Sequence, residues 1–365
     1  MSIAILGAAR RVGFWALLGM LWAGAALPAE AVTTPESRPA TLVRHPEKAW
    51  LQAIVRAGNR LVAVGERGLI LYSDDTGRSW IQARVPVAVT MTAVFFVDER
   101  HGWAVGHYGT VLHSDDGGKN WRRQLDGVTA AQIELAAAGR QAGAAGGRRQ
   151  ASARRLVDDG PDKPFLDLLF FDADNGIVVG AYNLAFRTSD GGRTWESLMG
   201  GIDNPGENHL YAIRGTRARL YIVGEQGLVL RSSDGGRTFG RLTSPYEGSY
   251  FSAAVLPSGD LVVAGLRGNA YRLTGQGDHW TRIELPTPVS VTALAVDGQR
   301  LYFANQAGQV YESEDDGQHL KPRALAQMPM LTGLLPLADG SLFATGLQGV
   351  ARLAPASTVK DSGAD

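Results

Sequence analysis

One short turn sequence recurs along this chain and constrains its fold more than any other feature. Residues 188–195 read TSDGGRTW, and relatives occur as SDDTGRSW, SDDGGKNW, SSDGGRTF and SEDDGQHL, with a worn copy, LTGQGDHW, ending at Trp280. The copies end at positions 80, 121, 195, 239, 280 and 320, so most neighbours are 40 to 44 residues apart. Only the interval of 74 residues between 121 and 195 departs from this regular spacing.

Each repeat has the internal order of four short strands joined by tight turns. In the first, LQAIVRAG is followed by RLVAVG, a Gly-x-x-Gly turn, LILYSD, the recurring turn and WIQARV. The second strands are apolar on both faces, which is typical of strands held between neighbouring sheets. Seven repeats begin near Leu51, Thr92, Phe165, Leu210, Phe251, Val291 and Leu331. This pattern predicts an all-β fold, a seven-bladed β-propeller over residues 40–354.

The seventh repeat is incomplete, because MLTGLLPL, SLFATG and GVARLA supply three strands before the chain turns polar. The segment ATLVRH at residues 40–45 can supply the missing outer strand. Pairing the two ends of the chain would remove an exposed sheet edge. We therefore expect the N-terminal strand to close the last blade, and residues 355–365 to form a disordered tail.

The first residues differ from the propeller repeats and indicate export. Arg10 and Arg11 precede the apolar run VGFWALLGMLWAGAALPA, and small residues follow at Ala29 and Ala31. This pattern predicts a signal peptide over residues 1–31, with an uncleaved membrane anchor as the alternative. Because the chain has no cysteine, disulfides and thiol catalysis are excluded. The expected location is the periplasm, or the thylakoid lumen in a photosynthetic organism.

In the recurring turn, each residue type has a structural role. Asp190 can accept backbone N–H bonds, Gly191 and Gly192 allow left-handed backbone angles, and Trp195 offers apolar surface between blades. Repetition favours this interpretation over an active site, which a protein normally needs once. The same roles are predicted for Asp75, Trp80, Asp116, Trp121, Asp234, Phe239 and Asp315.

The Gly-x-x-Gly turns join the second and third strands, so the topology places them on the face opposite the recurring turns. Their central residues vary among repeats more than the flanking glycines do, which is typical of a binding surface. Merely solvated turns are the alternative. The candidate partner-binding residues on these turns are Arg67, His107, Tyr108, Tyr182 and Arg267.

The irregular interval is an insertion between the second and third blades at residues 126–163, rich in alanine, glycine and arginine. Alanine favours helix and the glycines at 143, 146 and 147 oppose it, so two short helices or a partly ordered arm are predicted. Its basic run is a candidate for binding acidic protein or a membrane surface, with a solvated insertion as the alternative. The candidate residues are Arg140, Arg148, Arg149, Arg154 and Arg155.

Motifs of known enzyme classes are missing from the sequence. There is no GxSxG elbow, P-loop or HExxH helix, and the seven histidines have no metal-ligand spacing. The 36 basic and 36 acidic residues cancel, which argues against a nucleic-acid partner. We therefore predict a monomeric, non-enzymatic protein without a cofactor or a metal ion.

The recurring turn resembles the S-x-D-x-G-x-T-W pattern of Asp-box (BNR) propellers, and we call it the Asp box. Seven blades with recurring Asp boxes behind an export signal, with GPDKPFLDLLFFD opening the third blade, resemble the photosystem II assembly and stability factor family. The resemblance implies a scaffold that binds a membrane protein or its assembly intermediate. Alternatives are an accessory protein of a resistance-nodulation-division (RND) transporter, a glycan- or ligand-binding propeller and, least favoured, a sialidase-like hydrolase.

Overall fold

The computed structural model describes residues 34–275, 279–323 and 328–355, and within helix α2 the side chains of residues 144 and 145 are left aside. Over these residues the chain forms seven antiparallel sheets, six of four strands and one of three. The predicted all-β, seven-bladed propeller is therefore confirmed. The predicted signal peptide at 1–31 lies outside the described residues, as do residues 356–365 of the predicted tail.

Strands follow one another from the centre of the ring outward in every blade. The first blade contains β1 (Leu51–Ala57), β2 (Arg60–Gly65), β3 (Ile70–Ser73) and β4 (Ile81–Gln82). The second contains β5 (Met91–Phe96), β6 (Gly102–Gly106), β7 (Thr110–Ser114) and β8 (Arg122–Leu125). The third contains β9 (Phe165–Phe170), β10 (Gly176–Gly180), β11 (Ala185–Thr188) and β12 (Glu196–Ser197).

The remaining blades repeat this order. The fourth contains β13 (Leu210–Thr216), β14 (Arg219–Gly224), β15 (Val229–Ser232) and β16 (Gly240–Arg241). The fifth contains β17 (Tyr250–Val255), β18 (Leu261–Gly265), β19 (Ala270–Thr274) and β20 (His279–Ile283). The sixth contains β21 (Val291–Asp297), β22 (Arg300–Asn305), β23 (Val310–Ser313) and β24 (Lys321–Pro322). The seventh contains β25 (Leu331–Pro336), β26 (Leu342–Gly346) and β27 (Gly349–Leu353).

The core lies between neighbouring blades, because each second strand presents apolar side chains to both sides. In one such cluster, Trp103 of β6 and Phe170 of β9 stack with ring centres 3.7 Å apart. A shift of register in the pairing of the first and second strands recurs in all seven blades. Such bulges bend a strand, here beside the central channel.

The insertion forms two helices, α1 (Gly127–Gly139) and α2 (Gly143–Asp158), which pack against each other. Asp126 caps α1 by accepting the Thr129 backbone N–H at 2.9 Å. The glycines at 146 and 147 lie inside α2 and do not end it. Within the described parts of the chain, no helix combines the length and apolarity needed to cross a bilayer.

The prediction that residues 40–45 form the outer strand of the seventh blade is wrong. This segment lies on the first blade, where Ala40 donates its N–H to the Val85 carbonyl at 3.1 Å. The Gln82 side chain fixes it there, accepting from Val43 N–H and donating to the Thr41 carbonyl, both at 2.9 Å. The ring closes instead by packing of β1 against β25 and β26.

Candidate functional site

Each Asp-box carboxylate is bonded within its own turn. Asp75 accepts from the Ser73 hydroxyl at 2.8 Å, the Ser79 N–H at 2.9 Å and the Ser79 hydroxyl at 2.6 Å. The Ser79 hydroxyl and the other donors hold the pKa of Asp75 well below its usual range. Equivalent bonds surround Asp116, Asp190, Asp234 and Asp315. These carboxylates therefore stabilise turns.

The aromatic residue that ends an Asp box packs against the preceding blade. Three of these side chains are buried: Trp121, Trp195 and Phe239. Trp80 is half-buried and meets Phe343 of the seventh blade edge to face, with ring centres 6.4 Å apart. Gly236 has φ 81°, and a Cβ there would lie 2.4 Å from Ile177 of the third blade. The Asp boxes therefore hold neighbouring blades together.

The opposite face, which we call the tip face, carries the seven turns between second and third strands. Five turns hold a residue other than glycine in the left-handed region, with φ between 52° and 58°: Arg67, Tyr108, Tyr182, Gln226 and Arg267. This backbone is strained for a bulky side chain, and such strain recurs at functional sites. The same backbone conformation therefore recurs at the tips with different side chains.

The predicted tip residues differ in accessibility. The Arg67 side chain is 88% exposed, and His107 and Arg267 are also exposed. Tyr182 is 51% exposed. Tyr108 instead packs against the core between the first two blades, and its carbonyl accepts the Gly127 N–H at 2.8 Å. Tyr108 therefore anchors the start of α1.

Tyr182 lies in a group of side chains that local sequence does not connect. The Lys163 ammonium is 5.8 Å from the centre of its ring, and the His209 ring centre is 4.6 Å away. The His209 ring Nδ1 lies 3.1 Å from the Glu225 carboxylate, which also accepts a bond from the His209 backbone N–H at 2.9 Å. An aromatic ring, a cation and an imidazole beside a carboxylate thus meet at the third tip.

The same group continues toward the central channel through Tyr211. Its hydroxyl donates to Glu225 at 3.4 Å, and its ring centre is 5.3 Å from that of Phe251. Burial and the Glu225 charge raise the pKa of Tyr211 to about 12, so the phenol stays protonated and can donate. The fold brings these residues together from the third, fourth and fifth blades.

Arg149 of the insertion, one of the predicted partner-binding residues, lines the same cleft as Arg148 and is bonded to other residues of the protein. Its guanidinium forms two bonds of 2.8 Å to Glu134 of α1 and one of 3.0 Å to Gln141. Glu134 is only 1% exposed and also accepts from the Ser197 hydroxyl of β12. This network fastens both helices to the third blade.

The other insertion arginines are accessible. Arg148 and Arg155 line a cleft of about 610 Å³ between α2 and the segment 199–207. Asn183 of the third tip lies in its wall, with the acidic residues Asp203 and Glu207 on the crossing segment. Arg140 and Arg154 are exposed elsewhere on the insertion. The cleft therefore offers positive groups from the helix and negative groups from the crossing segment.

The central channel contains a site that the sequence interpretation missed. The seven first strands enclose a cavity of about 280 Å³. Asp167 of β9 and Arg214 of β13 form an ion pair there, and Asp167 also accepts the Ile213 N–H at 2.8 Å. Charged residues within innermost strands were the available signal. Among the residues that the structure describes, no cluster of His, Asp and Glu suits a metal ion.

Comparison with known proteins connects this geometry to a family. The model of the family described as photosynthesis system II assembly factor YCF48 matches residues 79–139 and 149–248. The solved structure of YCF48 bound to D1 peptide is 17% identical, with TM-score 0.63, and the alignment covers 88% of this chain and 100% of that one. YCF48 from Cyanidioschyzon merolae is 15% identical, with TM-score 0.62 and coverages of 88% and 99%.

The fold is not restricted to assembly factors. A streptogramin B lyase is 14% identical, with TM-score 0.63, and the alignment covers 88% of this chain and 95% of the lyase. No curated protein matches the chain.

The seven blades and their repeated turns define the chain as a BNR-type seven-bladed propeller. Within that class, the match of the family model to two stretches of the chain confirms the resemblance to the photosystem II assembly factor family that the sequence motifs predicted.

Proposed function

We propose that this protein is an exported, non-enzymatic scaffold that binds a membrane-protein partner through its tip face and assists the partner's assembly or stability. The YCF48 relative solved with a D1 peptide supports a partner of this kind. The fold alone does not separate a scaffold from an enzyme, since a lyase shares it.

The observation that carries the proposal is the contrast in bonding between the two faces. Asp-box carboxylates are bonded inside their own turns, whereas Tyr182, Arg148 and Arg155 are available beside the insertion cleft. Exposed aromatic and arginine side chains are the types that dominate the binding energy of protein interfaces. The partner surface we propose is therefore the third tip together with α2.

Capture from detergent-solubilised membranes tests this proposal. The purified chain should retain one membrane protein, and the double substitution Arg148→Glu with Arg155→Glu should lower its recovery at least about tenfold. The matched control reverses two exposed arginines of the Asp-box face, Arg193→Glu with Arg237→Glu, and should leave recovery unchanged.

Equal recovery with both double variants would place the partner site elsewhere. The identity of the captured protein also distinguishes the two candidate clients, a photosystem subunit and an RND-type transporter. Turnover of a sialidase or glucanase substrate by the purified chain would contradict the non-enzymatic part of the proposal.

A further inference from the structure

The seventh blade ends on a strand edge that no described residue pairs with. The other six blades have a fourth strand, whereas β25, β26 and β27 form a sheet of three. An unpaired edge presents backbone N–H and C=O groups that can pair with another extended chain. The six complete blades reveal what chemistry fills this position.

In four complete blades, the first carbonyl of the third strand accepts an N–H from the residue after the outer strand. These bonds, of 2.8 to 2.9 Å, join Ala83 to Ile70, Leu198 to Ala185, Leu242 to Val229 and Arg323 to Val310. Val350 holds the equivalent position in β27, because it pairs with Thr345 as Ile70 pairs with Val64. By the alternation of an antiparallel ladder, the Val350 carbonyl and the Arg352 N–H point toward the missing strand.

Side-chain burial also distinguishes the seventh blade from the other six. The six residues equivalent to Val350 are at most 1% exposed: Ile70, Val111, Ala185, Val229, Ala270 and Val310. Val350 and the following Ala351 are only half-buried. The unpaired edge is therefore also an apolar notch that a further side chain would cover.

Residues 46–48 of the chain cover one end of the β27 edge and leave the rest of it uncovered. Gly349 has φ 93°, and a Cβ on it would lie 1.8 Å from the Glu47 carbonyl, much as one on Gly68 would lie 2.0 Å from the Val87 carbonyl. Residues 46–48 thus take the place of a segment that follows an outer strand. The residues before them are held on the first blade by Gln82, so they leave the edge of β27 open.

We propose that the edge of β27 binds an extended segment of the membrane-protein partner as a fourth strand. The inference rests on the proposed function for the identity of the occupant, and on the geometry above for the site. The occupant should resemble the chain's own outer strands, two extended residues followed by an apolar one, as in Glu196–Ser197 with Leu198 or Gly240–Arg241 with Leu242. Leu347, 43% exposed at the tip preceding β27, makes the edge continuous with the tip face.

A labelled peptide copying residues 237–244, RTFGRLTS, is the probe, and fluorescence anisotropy with the full chain is the measurement.

Arg352→Pro removes the backbone N–H that points away from β26 and leaves the hydrogen bonds between β26 and β27 intact. Arg352→Ala is the matched control, since both variants lose the side-chain contacts with Asp339 and Ser341. Affinity should fall at least about tenfold in Arg352→Pro relative to Arg352→Ala. A peptide with the Leu242→Asp substitution should bind equally poorly to both.

Val350→Glu keeps every backbone group and is the second variant if Arg352→Pro does not fold; it should also weaken binding at least about tenfold. Equal affinity of Arg352→Pro and Arg352→Ala would overturn the strand-edge site. So would binding that emerges only after removal of residues 356–365, because the chain's own end would then be the occupant. A dimer that Arg352→Pro abolishes would assign the edge to a second copy and overturn the proposal.

Membrane capture separates this proposal from the proposed function. If Arg352→Pro captures the client as well as Arg352→Ala does, the edge proposal fails while the scaffold function stands. If the peptide binds the edge but no membrane protein is retained, the scaffold function is wrong. The membrane-protein segment is then also rejected as the occupant of the edge, although the strand-edge site remains.

Discussion

The two faces of the propeller repeat the same frame and use it in opposite ways. On the Asp-box face, Asp190 accepts bonds from Thr188 and Thr194 of its own turn, and Trp195 is buried against the second blade. On the tip face, Tyr182 has a left-handed backbone and a side chain exposed to solvent beside Lys163. The repeated turns stabilise the fold where their side chains are bonded internally. On the tip face, where the backbone repeats and the side chains vary, we expect the binding of a partner.

The insertion contains both kinds of residue and gives the largest expected effect. Glu134→Ala would remove the only carboxylate bonded to the Arg149 guanidinium among the described residues, so the free energy of unfolding should fall by about 3 kcal/mol. Urea unfolding measures the change. Arg154→Ala, at an exposed position on the same helix as Arg149, is the control and should stay within about 0.5 kcal/mol of the wild type. Similar losses in both variants would remove the distinction between structural and accessible arginines.

On the Asp-box face, Asp190→Ala should lower the free energy of unfolding by about 2 kcal/mol, because three hydrogen bonds of the turn are lost. Membrane capture should not change, since this face is not the proposed partner surface. Asp174→Ala, at an exposed position of a nearby turn, should alter neither property. A loss of capture by folded Asp190→Ala would contradict the functional separation of the faces.

On the tip face, Tyr182→Gly should produce the smallest change in stability and the clearest change in binding. Glycine relieves the left-handed backbone while the ring contacts with Lys163 and His209 are lost, so the free energy of unfolding should stay within about 0.5 kcal/mol. Capture should fall about tenfold. Gln226→Gly makes the same backbone change on the fourth blade and should keep full capture. Destabilisation of several kcal/mol by Tyr182→Gly would make Tyr182 a structural residue.

Much of the fold was predictable because short repeats in the sequence specify the strands and turns of each blade. The spacing of the Asp boxes indicated the length of one blade, the recurring strand units indicated seven blades, and the doubly apolar second strands indicated sheets packed on both faces. The alternating up-and-down order also predicted which turns share a face. The position of residues 40–45 was not predictable in this way. The segment lies on the first blade and not on the seventh because the Gln82 side chain bonds its backbone.

The candidate site was predicted only in part. Arg148, Arg155 and Tyr182 were candidates from the sequence, but the neighbours of Tyr182, namely Lys163, His209 and Glu225, come from separate blades and connecting segments. The identical local appearance of Arg148 and Arg149 concealed different environments, since only Arg149 reaches the buried Glu134. The two side chains project from different sides of α2. The sequence of the insertion has too few apolar residues to predict which side of the helix faces the protein.

The sequence by itself determined the architecture, because each blade is a local unit whose strands and turns are specified within about 40 residues. The tertiary structure alone decided which charged side chains are satisfied, which are accessible and which strand edge has no pairing partner among the described residues. Those properties depend on contacts between residues far apart in the chain, as where Asp167 meets Arg214 across two blades and Glu47 meets Gly349 at the junction of the ring.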